Sequence, residues 1–245
     1  MTTRFSVVVP AHNEEDFLGN CLDSLLDQDY PGGYEIIVVD NNSTDGTAAV
    51  ASARGVTVVS EPRPGVCWAR QSGTSAAAGE IVVSTDADTV YGRDWLSRID
   101  AAFLADSAVV AVAGPCRFTN APWWGRIYAG GLFRSVNVLS KATGRVPYAA
   151  AANIAFRKAS FCGYDTRATQ GGDELGLLRS LRGRGTVRFD AANPVFTSSR
   201  RMQRGLAYNF AVTFLFYYLI GYSLNRMSGR TVVGMAPSFR TSGPS

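Results

Sequence analysis

The chain has 245 residues, of which 46% are hydrophobic and 18% are charged. This composition provides enough apolar side chains for a buried core and excludes a disordered or low-complexity protein. Residues 1–100 contain 6 basic and 15 acidic residues, whereas residues 101–245 contain 18 basic and 5 acidic residues. The acidic part suits metal and base recognition, and the arginine-rich part suits diphosphates, anionic lipids or nucleic acid.

Short apolar runs alternate with helical patterns in the first hundred residues, which predicts successive βα units and a mostly parallel sheet. The predicted strands are Phe5–Pro10, Glu35–Asp40, Val56–Glu61, Glu80–Thr85 and Val109–Ala113. Asn13 is the expected N-cap of a first helix that carries Phe17 to Leu26. Asn42, Ser43 and Asp45 are expected to cap a second helix that runs through Ala53. Further helices are predicted over 66–78 and 94–105.

The second part of the chain is less regular. Residues Pro115–Tyr148 show no clear periodicity and receive no prediction. After them, the pattern predicts a strand over Ala149–Arg157, a helix over Asp173–Arg182, a strand over Thr186–Phe189 and an uncharged helix over Leu206–Leu224. The four cysteines, Cys21, Cys67, Cys116 and Cys162, form no CxxC pair, and the N-terminus does not resemble a secretory signal. Four buried thiols in a cytoplasmic protein are therefore expected.

Polar side chains follow each of the first four predicted strands. They are Asn13-Glu14, Asp40-Asn41-Asn42, Glu61-Pro62-Arg63 and Asp86-Ala87-Asp88. Ligands of open parallel sheets bind beyond the carboxyl ends of the strands. A single acidic pair is weak evidence, but four polar ends on consecutive strands predict a binding site at this edge.

Asp86 and Asp88 are two residues apart, so a turn there can direct both carboxylates at one oxygen-preferring cation such as Mg²⁺ or Mn²⁺. The alternative is that they cap the helix that starts near Asp94. Asp40 ends an apolar strand and can accept the imide proton of a uracil-type base. Alternatively, the segment Asn41–Thr47 is only an Asx turn before the next helix.

Three segments together carry a resemblance to a known family. Val7-Val8-Val9-Pro10-Ala11-His12-Asn13-Glu14, Val38-Val39-Asp40-Asn41-Asn42-Ser43-Thr44-Asp45-Gly46-Thr47 and the Asp86-Ala87-Asp88 turn occur in this order and approximate spacing. The chain thereby resembles the family 2 glycosyltransferases over roughly residues 4–200. The resemblance implies an α/β GT-A fold, with a Rossmann-like, mostly parallel sheet flanked by helices. It also implies inverting sugar transfer from a nucleotide-sugar donor, with a UDP-type donor favoured and Mg²⁺ or Mn²⁺ as cofactor.

The resemblance also implies site residues. Asp86 and Asp88 are the expected metal ligands and ribose contacts, and Arg70 matches a family segment that faces the nucleotide. Arg200 and Arg201 stand where many relatives place a histidine, and arginine can neutralise a leaving diphosphate by bidentate hydrogen bonds. The full expected nucleotide site comprises Pro10, Ala11, Asn13, Glu14, Asp40, Asn42, Arg63, Arg70, Asp86, Ala87, Asp88, Arg200 and Arg201.

The family's catalytic base usually lies in a Glu-Asp pair at the start of a late helix. Here Gly171-Gly172-Asp173-Glu174-Leu175 has the two acids exchanged. Alignment on the following leucines favours Glu174, and the identity of the side chain favours Asp173, so both remain candidates. Either can instead be a carboxylate that merely stabilises the helix N-terminus.

The expected organisation is a GT-A domain over 1–204, with a nucleotide-binding half at 1–114 and an acceptor and catalytic half at 115–204, followed by a tail at 205–245. Residues Gly205–Asn225 carry no charge and are flanked by arginines. This segment either lies in a membrane interface, packs on the domain or a homodimer partner, or spans a bilayer. Expected partners are the nucleotide-sugar donor and a sugar or lipid-linked acceptor such as a polyprenyl phosphate, without nucleic acid, and the expected location is the cytoplasm or the inner face of the cell membrane.

Three other classes of protein compete with this interpretation. Asp86-Ala87-Asp88-Thr89-Val90 also resembles the haloacid dehalogenase phosphatase motif, but that motif normally ends the first strand of its domain, and here three βα units precede it. A dinucleotide-dependent oxidoreductase is disfavoured because no GxGxxG follows the first strand. A non-catalytic sugar-nucleotide binding module would lack the acidic residues that are present here.

Overall fold

The computed structural model describes residues 3–166, 173–202 and 205. The helices are α1 (Glu15–Leu26), α2 (Thr47–Ser52), α3 (Val66–Ala76), α4 (Trp95–Ala105), α5 (Trp123–Thr143) and α6 (Asp173–Arg182). The strands are β1 (Phe5–Ala11), β2 (Tyr34–Asp40), β3 (Thr57–Ser60), β4 (Ile81–Ser84), β5 (Thr89–Val90), β6 (Val109–Ala113), β7 (Cys116–Thr119), β8 (Ile154–Arg157), β9 (Thr186–Phe189) and β10 (Val195–Ser198).

The strands form two sheets. The main sheet has seven strands in the order β3-β2-β1-β4-β8-β6-β9, and a smaller sheet has three in the order β5-β10-β7. Strands β1 to β4 pair in parallel, β8 is antiparallel to both of its neighbours, and β6 pairs in parallel with β9. The mostly parallel sheet expected from the sequence is confirmed, and helices connect its parallel strands as such a sheet requires.

Both faces of the main sheet are covered, which explains why its central strands have apolar residues at consecutive positions rather than at alternate ones. In β1, Val7 and Val9 belong to one core cluster, whereas Val8 between them belongs to the other. The first cluster includes Leu22 of α1 and Trp95 of α4. The second cluster includes side chains of α3 and α6, so the helices form a layer on each side of the sheet.

Several predicted elements differ from the observed ones at their ends. Asn13 is not the N-cap of α1, because Glu14 occupies that position and makes no side-chain capping hydrogen bond. The strand predicted from Ala149 begins only at Ile154, since Ala151–Asn153 form a 3₁₀ turn. Cys162 is exposed, unlike the other three cysteines.

The segment that received no prediction contains a strand and the longest helix among the described residues. The buried stripe of α5 is Gly125, Ala129, Phe133 and Val136, at the spacing of one helix face. Two of its positions are small residues, and Gly130 and Gly131 lie in the middle of the helix. The apolar signal of this helix is therefore weak in the sequence.

The predicted helix at Leu206–Leu224 lies outside the described residues. Among the residues that the structure does describe, no helix combines the length and the apolar character needed to cross a membrane. The domain boundary at 204 stays a prediction.

Helix α3 approaches the sheet closely at Gly73. A Cβ at this position would overlap Val8 Cγ1 and lie 2.9 Å from Val39 Cγ2, and both of these side chains are buried in β1 and β2. Their branched side chains have little freedom to move away. Glycine at this position therefore sets the distance between α3 and the strands that carry the polar ends.

We expect Gly73→Ala to lower the free energy of unfolding by about 1–3 kcal/mol, because the added methyl overpacks the core. The matched control is Gly176→Ala in α6, where the exposed glycine has open space around its Cβ position. That change should raise the free energy of unfolding by about 0.5–1 kcal/mol, since alanine favours the helix. Urea denaturation followed by circular dichroism measures both, and equal effects would contradict the packing argument.

Candidate active site

The polar ends of the first four strands lie along one edge of the main sheet. The parallel register places Ala11 beside Asp40 and Asp40 beside Ser60, and Val8 of β1 beside Ser84 at the end of β4. The residues that follow these strands therefore come together, as the sequence predicted. Pro10 and Ala11 are buried at the end of β1.

The loops after β1 and β2 are bound to each other. The Asn13 amide N–H donates to Ser43 Oγ at 3.0 Å, and the Thr44 N–H donates to Asn13 Oδ1 at 2.7 Å. The Glu14 N–H donates to Thr47 Oγ1 at 2.7 Å. The N-cap of α2 is Gly46 and not one of the three expected residues. Asp45 accepts the Thr47 N–H at 3.0 Å just before the helix, and Ser43 binds the other loop. The two loops thus form one connected wall.

Asp40 and Asn42 occupy the centre of this wall. Asp40 is half-buried, and its Oδ1 accepts the Ser43 N–H at 3.1 Å. Asn42 is exposed and has a positive φ of 63°, which asparagine tolerates better than most residues. Asn42 therefore shapes the turn and does not cap α2. Nδ1 of His12, which precedes Asn13, is buried without a hydrogen-bond partner among the described residues.

A compact polar cluster follows β3. The buried Glu61 carboxylate accepts hydrogen bonds from Arg63 Nε at 2.8 Å and from Arg63 Nη2 at 2.7 Å, and also one from Ser72. These bonds, with that of Arg63 foremost, lower the pKa of Glu61 to about 2. The Arg63 guanidinium lies 3.7 Å from the centroid of the Trp68 ring. Arg63 is thus placed at the edge of the site, but its charge is already paired.

Asn41 joins this cluster to β2. Its amide nitrogen donates to the main-chain oxygens of Glu61 and Arg63 at 2.8 and 2.6 Å, and its Oδ1 accepts the Gly65 N–H at 2.8 Å. The buried Asn41 side chain therefore fixes the β3–α3 loop. This contact was not predicted, because the sequence indicated only an Asx turn there.

Asp86 is held by a buried arginine of α3. Arg70 Nη2 donates to Asp86 Oδ1 at 2.5 Å, and Arg70 Nε donates to Ser84 Oγ at 3.1 Å. The Arg70 side chain is 5% exposed and that of Asp86 is 39% exposed. The expected position of Arg70 at the site is consistent with this contact, and Ala87 beside Asp86 is buried. Arg70 directs a partly exposed carboxylate toward solvent.

Asp88 is held by residues near the end of the described chain. Thr197 Oγ1 of β10 donates to Asp88 Oδ1 at 3.3 Å, and the Ser198 N–H donates to the Asp88 main-chain oxygen at 3.0 Å. Arg200 Nη2 lies 3.1 Å from Asp88 Oδ2. The sequence did not predict β10, so these partners of Asp88 were missed.

Arg200 also makes a bidentate pair with Glu14. Its Nη1 and Nη2 donate to the two Glu14 carboxylate oxygens at 2.8 and 2.5 Å, and the guanidinium lies 4.8 Å from the Phe17 ring centroid. Burial lowers the pKa of the guanidinium, but the hydrogen bonds to Glu14 and the charges of Asp88 and Glu14 raise it overall. Arg200 thus joins the first and fourth strand ends. The Arg201 side chain lies outside the described part of the structure.

The expected acid pair lies at the start of α6. Glu174 is half-buried in the first turn, and Leu177 and Leu181 anchor the helix in the second core cluster. Residues 167–172 and the side chain of Asp173 lie outside what the structure describes.

The side chains present fit a divalent cation that a diphosphate helps to coordinate. Mg²⁺ usually takes one or two carboxylates from the protein and completes its shell with water and phosphate oxygens. Asp86 and Asp88 supply those carboxylates at the edge of the sheet. Within residues 3–166, 173–202 and 205, no group of three or more His, Cys, Asp or Glu side chains is arranged to hold a metal alone.

Comparison with known proteins supports the fold. A mannosyltransferase of Pyrobaculum calidifontis in complex with GDP-Man and Mn²⁺ shares 26% identity at a TM-score of 0.67, over 80% of this chain and 57% of that one. Glucosyl-3-phosphoglycerate synthase of Mycobacterium tuberculosis in complex with Mn²⁺, UDP-Glc and glycerol 3-phosphate shares 25% identity at a TM-score of 0.55, over 76% and 69% of the two chains. The α/β architecture with its mostly parallel sheet is the expected GT-A fold.

The sequence comparisons identify the family. An uncharacterized glycosyltransferase of Mycobacterium tuberculosis is 39% identical over 125 residues, which are 50% of this chain and 54% of that protein. The chain spans about half the length of these curated relatives. The model of the family described as glycosyl transferase family 2 matches residues 6–163. The match covers more than half of the chain, so the chain belongs to glycosyl transferase family 2.

Proposed function

We propose that this protein transfers a sugar from a nucleotide-sugar donor to an acceptor with inversion at the anomeric carbon. The observation that carries the proposal is the pairing of Asp86 with Arg70 and of Asp88 with Arg200 at the edge where the polar strand ends meet. An arginine side chain orients each of the two carboxylates, and the Asp86 carboxylate is still partly exposed to solvent. Membership of the family supports the same activity.

The wall formed by the loops after β1 and β2 suits the nucleoside. Asp40 is half-buried at its centre and accepts the imide proton of a uracil-type base, so a UDP-type donor is favoured. The unpaired Nδ1 of His12 offers a further acceptor or donor at this wall. Pro10, Ala11, Asn13 and Asn42 shape the pocket, and the paired Arg63 borders it.

Asp86 and Asp88 hold Mg²⁺ or Mn²⁺ when the donor binds. A cation held there would supply positive charge against the leaving diphosphate. Support comes from the two structural relatives above, which were both solved with Mn²⁺ and a nucleotide sugar. Arg200 is already beside Asp88, and with Arg201 it contributes positive charge to the same diphosphate.

The acceptor nucleophile attacks the anomeric carbon from the face opposite the diphosphate. As the new bond forms and the bond to the diphosphate oxygen breaks, a carboxylate takes the proton of the acceptor hydroxyl. Asp173 or Glu174 is the base. The acceptor is a sugar or a lipid-linked group such as a polyprenyl phosphate, and residues 115–204 form the half of the domain that receives it.

The metal assignment predicts non-additive effects on nucleotide binding. Asp88→Asn should weaken the binding of UDP in the presence of Mn²⁺ by about tenfold or more, since a charge-assisted interaction is worth about 1.5–3 kcal/mol. EDTA should weaken binding to the unmodified protein to a similar extent, but should have little further effect on the variant. Isothermal titration calorimetry measures all four affinities.

The control for this experiment is Asp94→Asn, which removes an exposed carboxylate that pairs with Arg98 of α4. It should leave both the affinity and its dependence on Mn²⁺ unchanged. An unmodified protein whose binding and turnover are insensitive to EDTA would refute the metal assignment.

The role of Asp40 predicts selectivity among bases. Asp40→Ala should lower the affinity for UDP by about tenfold and reduce the preference for UDP over ADP, because a buried hydrogen bond to the base is lost. Asp45→Ala is the matched control, since Asp45 accepts the Thr47 N–H at the neighbouring turn before α2. It should lower the free energy of unfolding by about 1 kcal/mol and keep the preference. Equal affinities of the unmodified protein for UDP, GDP and ADP would contradict the assignment.

The two candidate bases are separated by amide substitutions. Consecutive helical residues point about 100° apart, so only one of Asp173 and Glu174 is expected to reach the acceptor. Replacing the base by its amide should lower kcat by about 10²- to 10⁴-fold and preserve donor binding, whereas the neighbouring substitution should mainly affect stability or acceptor KM. We favour Asp173→Asn as the more damaging change. Full turnover in both variants would place the base elsewhere or indicate a phosphate acceptor, which needs no base.

A further inference from the structure

Helix α5 exposes an unusual number of apolar side chains. Those of Trp123, Ile127, Tyr128, Val138 and Leu139 make up half of the large exposed hydrophobic residues of the described chain, and Trp123 is 68% exposed. Trp123, Ile127 and Val138 are separated by four and eleven residues, which places them on one side of a helix. We call the exposed side of α5 from Trp123 to Lys141 the α5 face.

The same region is strongly basic. No Asp or Glu occurs between Asp106 and Asp165, whereas seven Arg and Lys residues lie in this stretch. The charged side chains of α5 are Arg126, Arg134 and Lys141, and all three are exposed. Arg134 and Lys141 follow Ile127 at seven and fourteen residues, so they share its side of the helix. The α5 face therefore combines apolar and cationic groups.

A groove beside α5 has the same character. It has a volume of about 500 Å³ and lies between α5 and the small sheet. Its lining includes Arg117, Arg126 and Arg134 together with Phe118, Phe133 and Phe196, and no acidic residue. Such a lining suits a group that is negatively charged at one end and apolar at the other.

The positive charge of the α5 face distinguishes among the three groups that could cover it. The uncharged segment Gly205–Asn225 carries no acidic residue to pair with Arg126, Arg134 and Lys141. A second copy of the chain would bring the same basic residues against them in a two-fold interface. A lipid surface containing anionic headgroups supplies both the apolar layer and the opposite charge.

We propose that the α5 face docks on a membrane surface that contains anionic lipids. Trp123 and Ile127 enter the boundary between headgroups and acyl chains, where tryptophan is favoured. Arg126, Arg134 and Lys141 bind lipid phosphates, and the adjoining groove accommodates a headgroup. This docking goes beyond the proposed sugar transfer and does not depend on the donor.

Vesicle sedimentation with the full chain tests the proposal. We expect binding to vesicles of phosphatidylcholine with phosphatidylglycerol, weaker binding in high salt, and little binding to phosphatidylcholine alone. Arg126→Gln with Arg134→Gln should weaken binding by about 10- to 30-fold, at about 1 kcal/mol for each charge near the surface. The control Arg93→Gln with Arg98→Gln removes equal charge from exposed ion pairs with Asp27 and Asp94, and should have at most a small effect.

A second pair of substitutions tests how much the apolar side chains of α5 contribute to vesicle binding. Ile127→Ser should weaken vesicle binding, whereas Leu104→Ser, at an equally exposed leucine of α4, should not. Vesicles should shift the tryptophan emission to shorter wavelength, and Trp123→Phe should remove most of that shift. UDP binding, measured for each variant, should be unchanged, which separates this proposal from the proposed transfer.

Three outcomes would overturn membrane docking through the α5 face. The first is unchanged vesicle binding by the α5 variants, which would assign any binding to residues 205–225. The second is equal binding to neutral and anionic vesicles. The third is a dimer in solution that Ile127→Ser dissociates, which would identify a second copy as the occupant.

Discussion

The central constraint on this structure is the concentration of carboxylates at one edge of a parallel sheet. Glu14, Asp40, Glu61, Asp86 and Asp88 all follow strands β1 to β4 at that edge. Like charges so close together would repel one another in a poorly solvated cleft. Arg63, Arg70 and Arg200 supply the compensating charge, each at 3.1 Å or less from a carboxylate oxygen. Arg63 and Arg70 come from the acidic part of the sequence, and Arg200 comes from the basic part.

The ion pair between Arg200 and Glu14 loses free energy to desolvation and fixes the geometry of both side chains. Both side chains are largely removed from water, with exposures of 13% and 11%, so desolvation offsets much of their attraction. What the pair does supply is a fixed geometry, because a bidentate guanidinium holds both carboxylate oxygens in one plane. A diphosphate offers Arg200 the same bidentate geometry with greater charge. In the proposed function, these contacts keep the Arg200 guanidinium beside Asp88, where the donor diphosphate would bind.

Most of the main sheet could be predicted from the sequence, and the reasons are physical. Strands β1, β2, β4 and β6 are buried on both faces, so each contains a run of at least three consecutive apolar residues. The acidic pair at Asp86 and Asp88 could be located because such a run delivers it. By contrast, β5 contains only two residues, and the four residues of β10 end in Thr197 and Ser198 and form no apolar run. For this reason the sequence did not reveal the partners of Asp88 or the contacts that Arg200 makes with it. Helix α5 was missed because glycine and alanine occupy half of its buried stripe.

Strand β10 contacts both the strand-end residue Asp88 and the arginine-lined groove beside α5. Thr197 donates to Asp88, and its neighbour Phe196 lines the groove beside α5. Successive side chains of a strand point to opposite faces, so these two residues belong to opposite sides of the small sheet. Phe196 is also paired with Val90 of β5, two residues after Asp88. Any group that presses on Phe196 from the groove therefore acts on a strand whose other side fixes Asp88. The proposed lipid-binding surface and the proposed nucleotide site would therefore lie on opposite sides of the same short strand.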